Sequence, residues 1–229
     1  MARTDTLPHF LTDVAGAIRE KKGTEETIQA SDFDTEIASI ESSGDVSDYF
    51  NTNIGTPSDF HKNNIKKIPA LTIVDGVNIL SDYFFNWSAL EEIENISGGV
   101  DVASYEGFLN NCKKLENIKF NNLNTSKVIT MYSMFNRCEK LTSLDLSSFT
   151  SESLTTTSYM FIGCKALMYI DMRNMTFDNV TAYTGMFYTT SSDGVPANCE
   201  IIVKSQTEKE WITSKFSRLT NVKTVAELE

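Results

Sequence analysis

From residue 108 onward, apolar residues recur in register every 26 positions. Cys112, Cys138 and Cys164 mark the interval. Three residues after them stand Leu115, Leu141 and Leu167, then Ile118, Leu144 and Ile170, then Phe120, Leu146 and Met172. Phe108-Leu109, Met134-Phe135 and Met160-Phe161 precede the cysteines, and Met186-Phe187 follows one period later. Val128, Leu154 and Val180 complete the frame. Weaker copies run back through Tyr83-Phe84, Leu90, Ile93 and Ile96, with Trp87 at the cysteine position, and reach Ile65 and Ile68.

A unit of this length with an L-x-x-L-x-L core holds one short strand, and successive strands stack in parallel. Neighbouring strands lie ~4.8 Å apart, so equivalent residues form ladders and the apolar ladders fuse into one core. No single coil buries its own face, which is why the pattern repeats. The spacing predicts an α+β repeat solenoid with short parallel strands, of about five coils over residues 45–205. An open stack exposes apolar surface and strand edges, so caps are expected. Tyr49-Phe50 through Phe60 is the candidate at one end. At the other, residues 206–229 predict a cap that follows a strand at Ile201–Val203. It comprises a helix over 207–216, with Trp211, Ile212 and Phe216 on one face, and a closing strand within 219–225.

Residues 1–44 lack the period. Leu7, Phe10, Leu11, Val14 and Ile18 form a stripe at helical spacing, and Lys21-Lys22-Gly23 suits a helix C-terminus. Ser31 caps a second expected helix, with Asp34 as its partner and Phe33, Ile37 and Ile40 on the buried side. Two such helices are too small to form a core alone. Their stripes must dock on the solenoid, on copies of themselves or on another protein.

Composition narrows the function. The 41% hydrophobic content excludes a wholly disordered chain. The 31 acidic against 20 basic residues, net −11, argue against nucleic acid and against anionic membrane surfaces as partners. No run approaches the ~18 apolar residues of a bilayer span, so no membrane insertion is expected. The start, MARTDTLPHF, lacks the apolar core of a secretory signal.

Catalytic chemistry finds little to use. The two histidines, His9 and His61, sit in no motif, which weakens acid–base, nucleophilic and metal readings. Stacking brings the ladder cysteines within disulfide range, but three in one row leave one over, and no C-x-x-C pair marks a zinc site. Reduced, buried cysteines are expected, Cys199 included. Glu91, Glu92 and Glu94 read as solvated strand positions rather than a glycosidase pair. The expectation is therefore no enzyme, no cofactor and no metal. The functional candidates are the outward strand positions on the concave face: Asn117, Lys119, Ser143, Asp145, Tyr169 and Asp171, with Tyr169 as an aromatic anchor. A plainly solvated sheet face is the competing reading.

The units MFNRCEKLTSLDLSSF (134–149) and MFIGCKALMYIDM (160–172) resemble the BspA-type leucine-rich repeats of bacterial surface proteins, mycoplasma lipoproteins and phage-encoded proteins. The resemblance covers about 60–205 and implies display or binding rather than a defined ligand. Residues 49–71 resemble the opening coil of phage and Firmicutes members. The chain departs from the pattern in its few coils and in Thr189-Thr190-Ser191, where a fourth cysteine would open its coil. Residues 11–40 resemble the starts of structural proteins from tailed phages of Gram-positive hosts, where this segment looks like an attachment module. The resemblance thus implies a phage or prophage virion protein (tail, baseplate or capsid decoration) made in the host cytoplasm, released by lysis, and present in multiple copies per particle. Its partners would be other virion structural proteins through residues 1–44 and a host-surface carbohydrate or protein through the solenoid. A BspA-type bacterial cell-surface adhesin is the alternative.

Overall fold

The computed structural model describes residues 62–63, 65–68, 71–73, 75–188 and 193–229, all within a compact unit that spans residues 56–229. The two helices expected within residues 1–44 and the opening segment Tyr49–Phe60 lie outside the described residues.

Short strands build one side of the molecule. They are β1 (Lys67–Ile68), β2 (Leu71–Ile73), β3 (Glu92–Gly98), β4 (Asn117–Leu123), β5 (Ser143–Asp145), β6 (Tyr169–Met172), β7 (Glu200–Val203) and β8 (Val222–Thr224). Every pairing between them is parallel. The result is a parallel β-solenoid of about six turns. Among the described residues between β2 and β7 no helix interrupts the coils; α1 (Gln206–Lys215) follows the last long turn. The α+β expectation is thereby corrected for the coils: their non-strand side is made of tight turns. The count rises from about five to about six because the last turns leave the 26-residue frame. Tyr169 pairs with Glu200, 31 residues on, and Ile201 pairs with Val222, 21 residues on.

The turns stack as regularly as the strands. Ile79, Ser104, Thr130, Thr156 and Ala182 bridge one another in parallel. Beyond them, alternate N–H groups of each coil bond to carbonyls of the next. Phe84 bonds to Phe108 (2.8 Å), Leu109 to Met134 (2.9 Å), Phe135 to Met160 (3.0 Å) and Phe161 to Met186 (2.8 Å). Every second turn residue must point its N–H along the stack, and left-handed backbone at two positions per coil achieves this. One position is held by Asp82, Gly107, Ser133, Tyr159 and Gly185, the other by Asn86, Asn111, Arg137 and Gly163.

The apolar ladders fill the interior between strands and turns. Leu115, Leu141 and Leu167 are fully buried, and each N–H bonds to the carbonyl of the cysteine three residues before it. Trp87 takes the same place before Leu90. Phe135 stacks on Phe161 (centroids 5.8 Å apart), and Phe161 stacks on Phe187 (5.4 Å). All four cysteines are buried free thiols. Cys112, Cys138 and Cys164 each donate S–H to a backbone carbonyl of the preceding coil, at 3.0, 3.4 and 3.0 Å. Burial pushes the Cys112 and Cys164 thiols up to about 12.

The strand side is not one continuous ladder. It forms two four-stranded sheets, β1–β4 and β5–β8. β4 stays paired with β3 through Leu123, with register shifts on either side of Ile96, whereas β5 ends after three residues in a turn where the Asp145 carboxylate accepts the Ser147 N–H at 2.8 Å. The turn side and a corner hydroxyl row carry the connection across this break. Thr125 Oγ1 donates to the Thr150 carbonyl and accepts its N–H, both at 2.8 Å. Ser151 does the same with Thr176 at 2.7 Å. One coil later the corner residue is Phe177, which stacks on Trp211 of α1 at 4.7 Å. Ser205 caps α1 by accepting the Thr207 N–H, and Phe216 closes over Phe187 at 5.2 Å.

Gly98 ends β3 at φ +81°, where a Cβ would stand 2.2 Å from the Ile73 carbonyl oxygen. Gly98→Ala should therefore cost roughly 2–4 kcal/mol in urea unfolding, while Gly76→Ala, at φ +85° in open space, should cost only about 1 kcal/mol. In the native protein the ladder cysteines should resist a disulfide-exchange reagent at pH 8 and react only at the rate of opening; fast labelling of Cys138 in the absence of denaturant would contradict the buried ladder.

Candidate binding surface

The strand side presents the six residues singled out by alternation. Asn117, Lys119, Ser143 and Asp145 are exposed, Tyr169 is half-buried and Asp171 is buried. Register places Ser143 beside Tyr169 and Asp145 beside Asp171. Asn117 and Lys119 belong to the other sheet, where Asn117 pairs with Glu92. Four of the six therefore share one patch, and two lie across the break.

Within that patch the polar groups satisfy one another. Arg173 Nε lies 3.0 and 2.9 Å from the two Asp171 oxygens, and the Arg173 backbone N–H donates to Asp171 at 3.1 Å. The Tyr169 hydroxyl donates to the same carboxylate at 3.3 Å. Burial pushes the Asp171 carboxyl up, but hydrogen bonds from Arg173 outweigh it, and the net position is below the ordinary carboxylate range. Burial, then the Asp171 charge, raises the Tyr169 phenol. Arg173 is raised by its bond to Asp171. Alternation assigned Asp171 to the open face; its carboxylate is instead drawn under Arg173, which the strand pattern did not single out. The spacing D-x-R at a strand end, where the chain turns back, is the signal that finds it.

Other charges on the coils pair with neighbouring coils. Lys67 meets Glu92 at 2.6 Å, Lys140 meets Glu116 at 2.8 Å, Lys127 meets Asp101 at 2.7 Å and Lys223 meets Glu200. Exposed pairs of this kind contribute ~0–1 kcal/mol each, so they decorate the stack rather than hold it. Among the described residues no three His, Cys, Asp or Glu side chains converge as metal ligands, and no helix is long and apolar enough to cross a membrane. His9 and His61 lie outside the described residues, as do the candidate attachment residues Leu7, Phe10, Leu11, Val14, Ile18, Phe33 and Ile37.

The turn side offers what the strand side lacks, exposed aromatic surface. Tyr132 and Tyr188 are each 37% exposed, and Tyr159 lies between them, half-buried. Tyr132 and Tyr159 meet edge to face at 5.7 Å. Sequence periodicity passed over all three because they occupy different positions of the repeat.

Residues 79–196, just over half of the chain, match the family described as "Mycoplasma protein of unknown function, DUF285". The chain belongs to this family. The matched span opens on Ile79, the first residue of the turn-side bridge row, and takes in β3 to β6. The DUF285 match and the parallel solenoid together fit a BspA-like repeat protein. No curated protein and no solved structure matches the chain.

In this DUF285 chain the Asp171–Arg173 pair should leave a pH signature. A carboxylate held below its unfolded value stabilises the fold above the ordinary carboxylate pKa and loses that contribution as pH falls through its folded value. Asp171→Asn should cost about 1–2 kcal/mol at pH 7 and little at pH 3, read from urea midpoints across that range. An equal loss at both pH values would remove the charge from the account.

Proposed function

We propose that the chain is a non-enzymatic structural and binding protein of a phage or prophage-derived particle, with residues 1–44 attaching it and the solenoid displayed outward. The observation that carries the display role is the inter-coil bonding. Backbone bonds repeat on both sides of the stack, so side chains on successive coils are held in rows on a stiff support. Rows of weak contacts on such a support add by multivalency without any catalytic group. For attachment, the support is the apolar stripe at helical spacing, Leu7, Phe10, Leu11, Val14 and Ile18, continued in Phe33 and Ile37, in a segment too short to form a core of its own.

In this reading the partners are other virion structural proteins on the attachment side and a host-surface carbohydrate or protein on the solenoid side. Neither nucleic acid nor a membrane is a partner. The protein is made in the host cytoplasm and leaves with the particle.

Full-length protein should co-purify with particles after lysis, detected by mass spectrometry of gradient-purified virions. A chain lacking residues 1–44 should be lost from them while keeping the thermal unfolding of the solenoid. Retention of the truncated chain would sink the attachment role. Recovery of the full chain on the surface of bacterial cells, with none in particles, would support the BspA-type adhesin instead.

A further inference from the structure

Tyr132, Tyr159 and Tyr188 come from three successive coils but not from one repeat position. Counted from the first left-handed position of each coil, they stand at −1, 0 and +3. A repeat copied without selection for a site puts one residue type at one position. Here three positions deliver the same side chain to one place. Two of the rings flank Gly185: a Cβ there would lie 2.9 Å from the Tyr159 ring and 3.3 Å from the Tyr188 ring. The Tyr132 ring closes the group from the coil before, edge to face with Tyr159.

Tyr159 also sits where a bulky residue is least comfortable. Its φ is +58°, and the equivalent positions hold Asp82, Gly107, Ser133 and Gly185. A left-handed backbone costs a tyrosine on the order of 1 kcal/mol that glycine would not incur. Its ring is not sunk into the core in return; it remains half-buried between two more exposed rings.

The surroundings select the ligand. Beside the rings run hydroxyls: Thr130, whose Oγ1 accepts the Tyr132 N–H at 3.2 Å, then Thr156, and the exposed Thr184 in the Tyr132 position two coils on. The nearby acid Asp193 is joined to Lys165 at 3.6 Å. Flat phenol faces with hydroxyl rims suit a flat, neutral, polyhydroxylated ring: its C–H face meets the π surface and its hydroxyls meet the Tyr and Thr oxygens. Two coil steps span ~10 Å, the reach of a short oligosaccharide. We infer that this turn-side tyrosine platform binds neutral polysaccharide. The site deepens the display reading and rests on it only for where the glycan is met.

The test uses the full-length chain in affinity electrophoresis through gels containing dextran, mannan, laminarin or soluble xyloglucan. At least one should retard the protein. Tyr132→Ala and Tyr159→Ala should each weaken the retardation about tenfold, and Lys67→Ala, an exposed strand-side position on β1, should leave it unchanged. Tyr159→Gly separates binding from folding, because glycine is native at that position in two other coils: it should lose retardation while keeping or raising the melting temperature. No retardation by any of the four, or equal retardation of wild type and Tyr132→Ala, would overturn the site. Binding only to a protein coat of host cells, insensitive to the tyrosines, would also overturn it. Because the assay needs no particle, a chain that binds glycan but is absent from virions would leave this site standing and remove the virion assignment.

Discussion

The structure depends on one constraint, that each coil completes its hydrogen bonding and its apolar burial only against the next. On the strand side parallel ladders do this. On the turn side alternate N–H groups do it, at the cost of two left-handed residues per coil. The apolar ladders lie between, and a leucine such as Leu141 is dry because Leu115 and Leu167 cover it from both sides. The same logic explains the cap. At the corner, Thr125 and Ser151 stitch coil to coil through their hydroxyls. Where the cap begins, Phe177 replaces the hydroxyl and offers a ring to Trp211. One side chain changes because its neighbour changes from another coil to a helix.

A repeat solenoid separates stability from recognition. The periodic positions are committed to the core, and the paired charges of the strand side are committed to adjacent coils. Asp171 is committed within its own coil: it occupies an outward strand position, yet Arg173 and Tyr169 saturate it. Freedom to recognise something else is left to positions that break the period. The tyrosines of the turn side do so, and one of them accepts backbone strain that glycine avoids at two of the equivalent positions.

Much of the fold was legible without coordinates. The period, the inward ladders, the place of Trp87 in the cysteine row and the burial of the thiols all follow from side-chain type at fixed spacing, since identical neighbours along a stack must share one environment. The strands at 200–203 and 222–224 were legible as strands but not as further turns of the stack, because their spacings of 31 and 21 residues leave the 26-residue frame. Nor was the break between β4 and β5, because backbone register in two strands of similar pattern depends on where each one bends.

The sequence by itself determined that this chain stacks, which residues face inward and that it belongs with BspA-like repeats, because periodic burial is written one residue at a time. Tertiary structure alone decided which outward residues are free. Whether a carboxylate such as Glu116 meets solvent or a lysine of the next coil, and whether tyrosines at unrelated repeat positions come together, depends on distances between coils and on left-handed turns. Those are properties of the assembled stack, and no single coil encodes them.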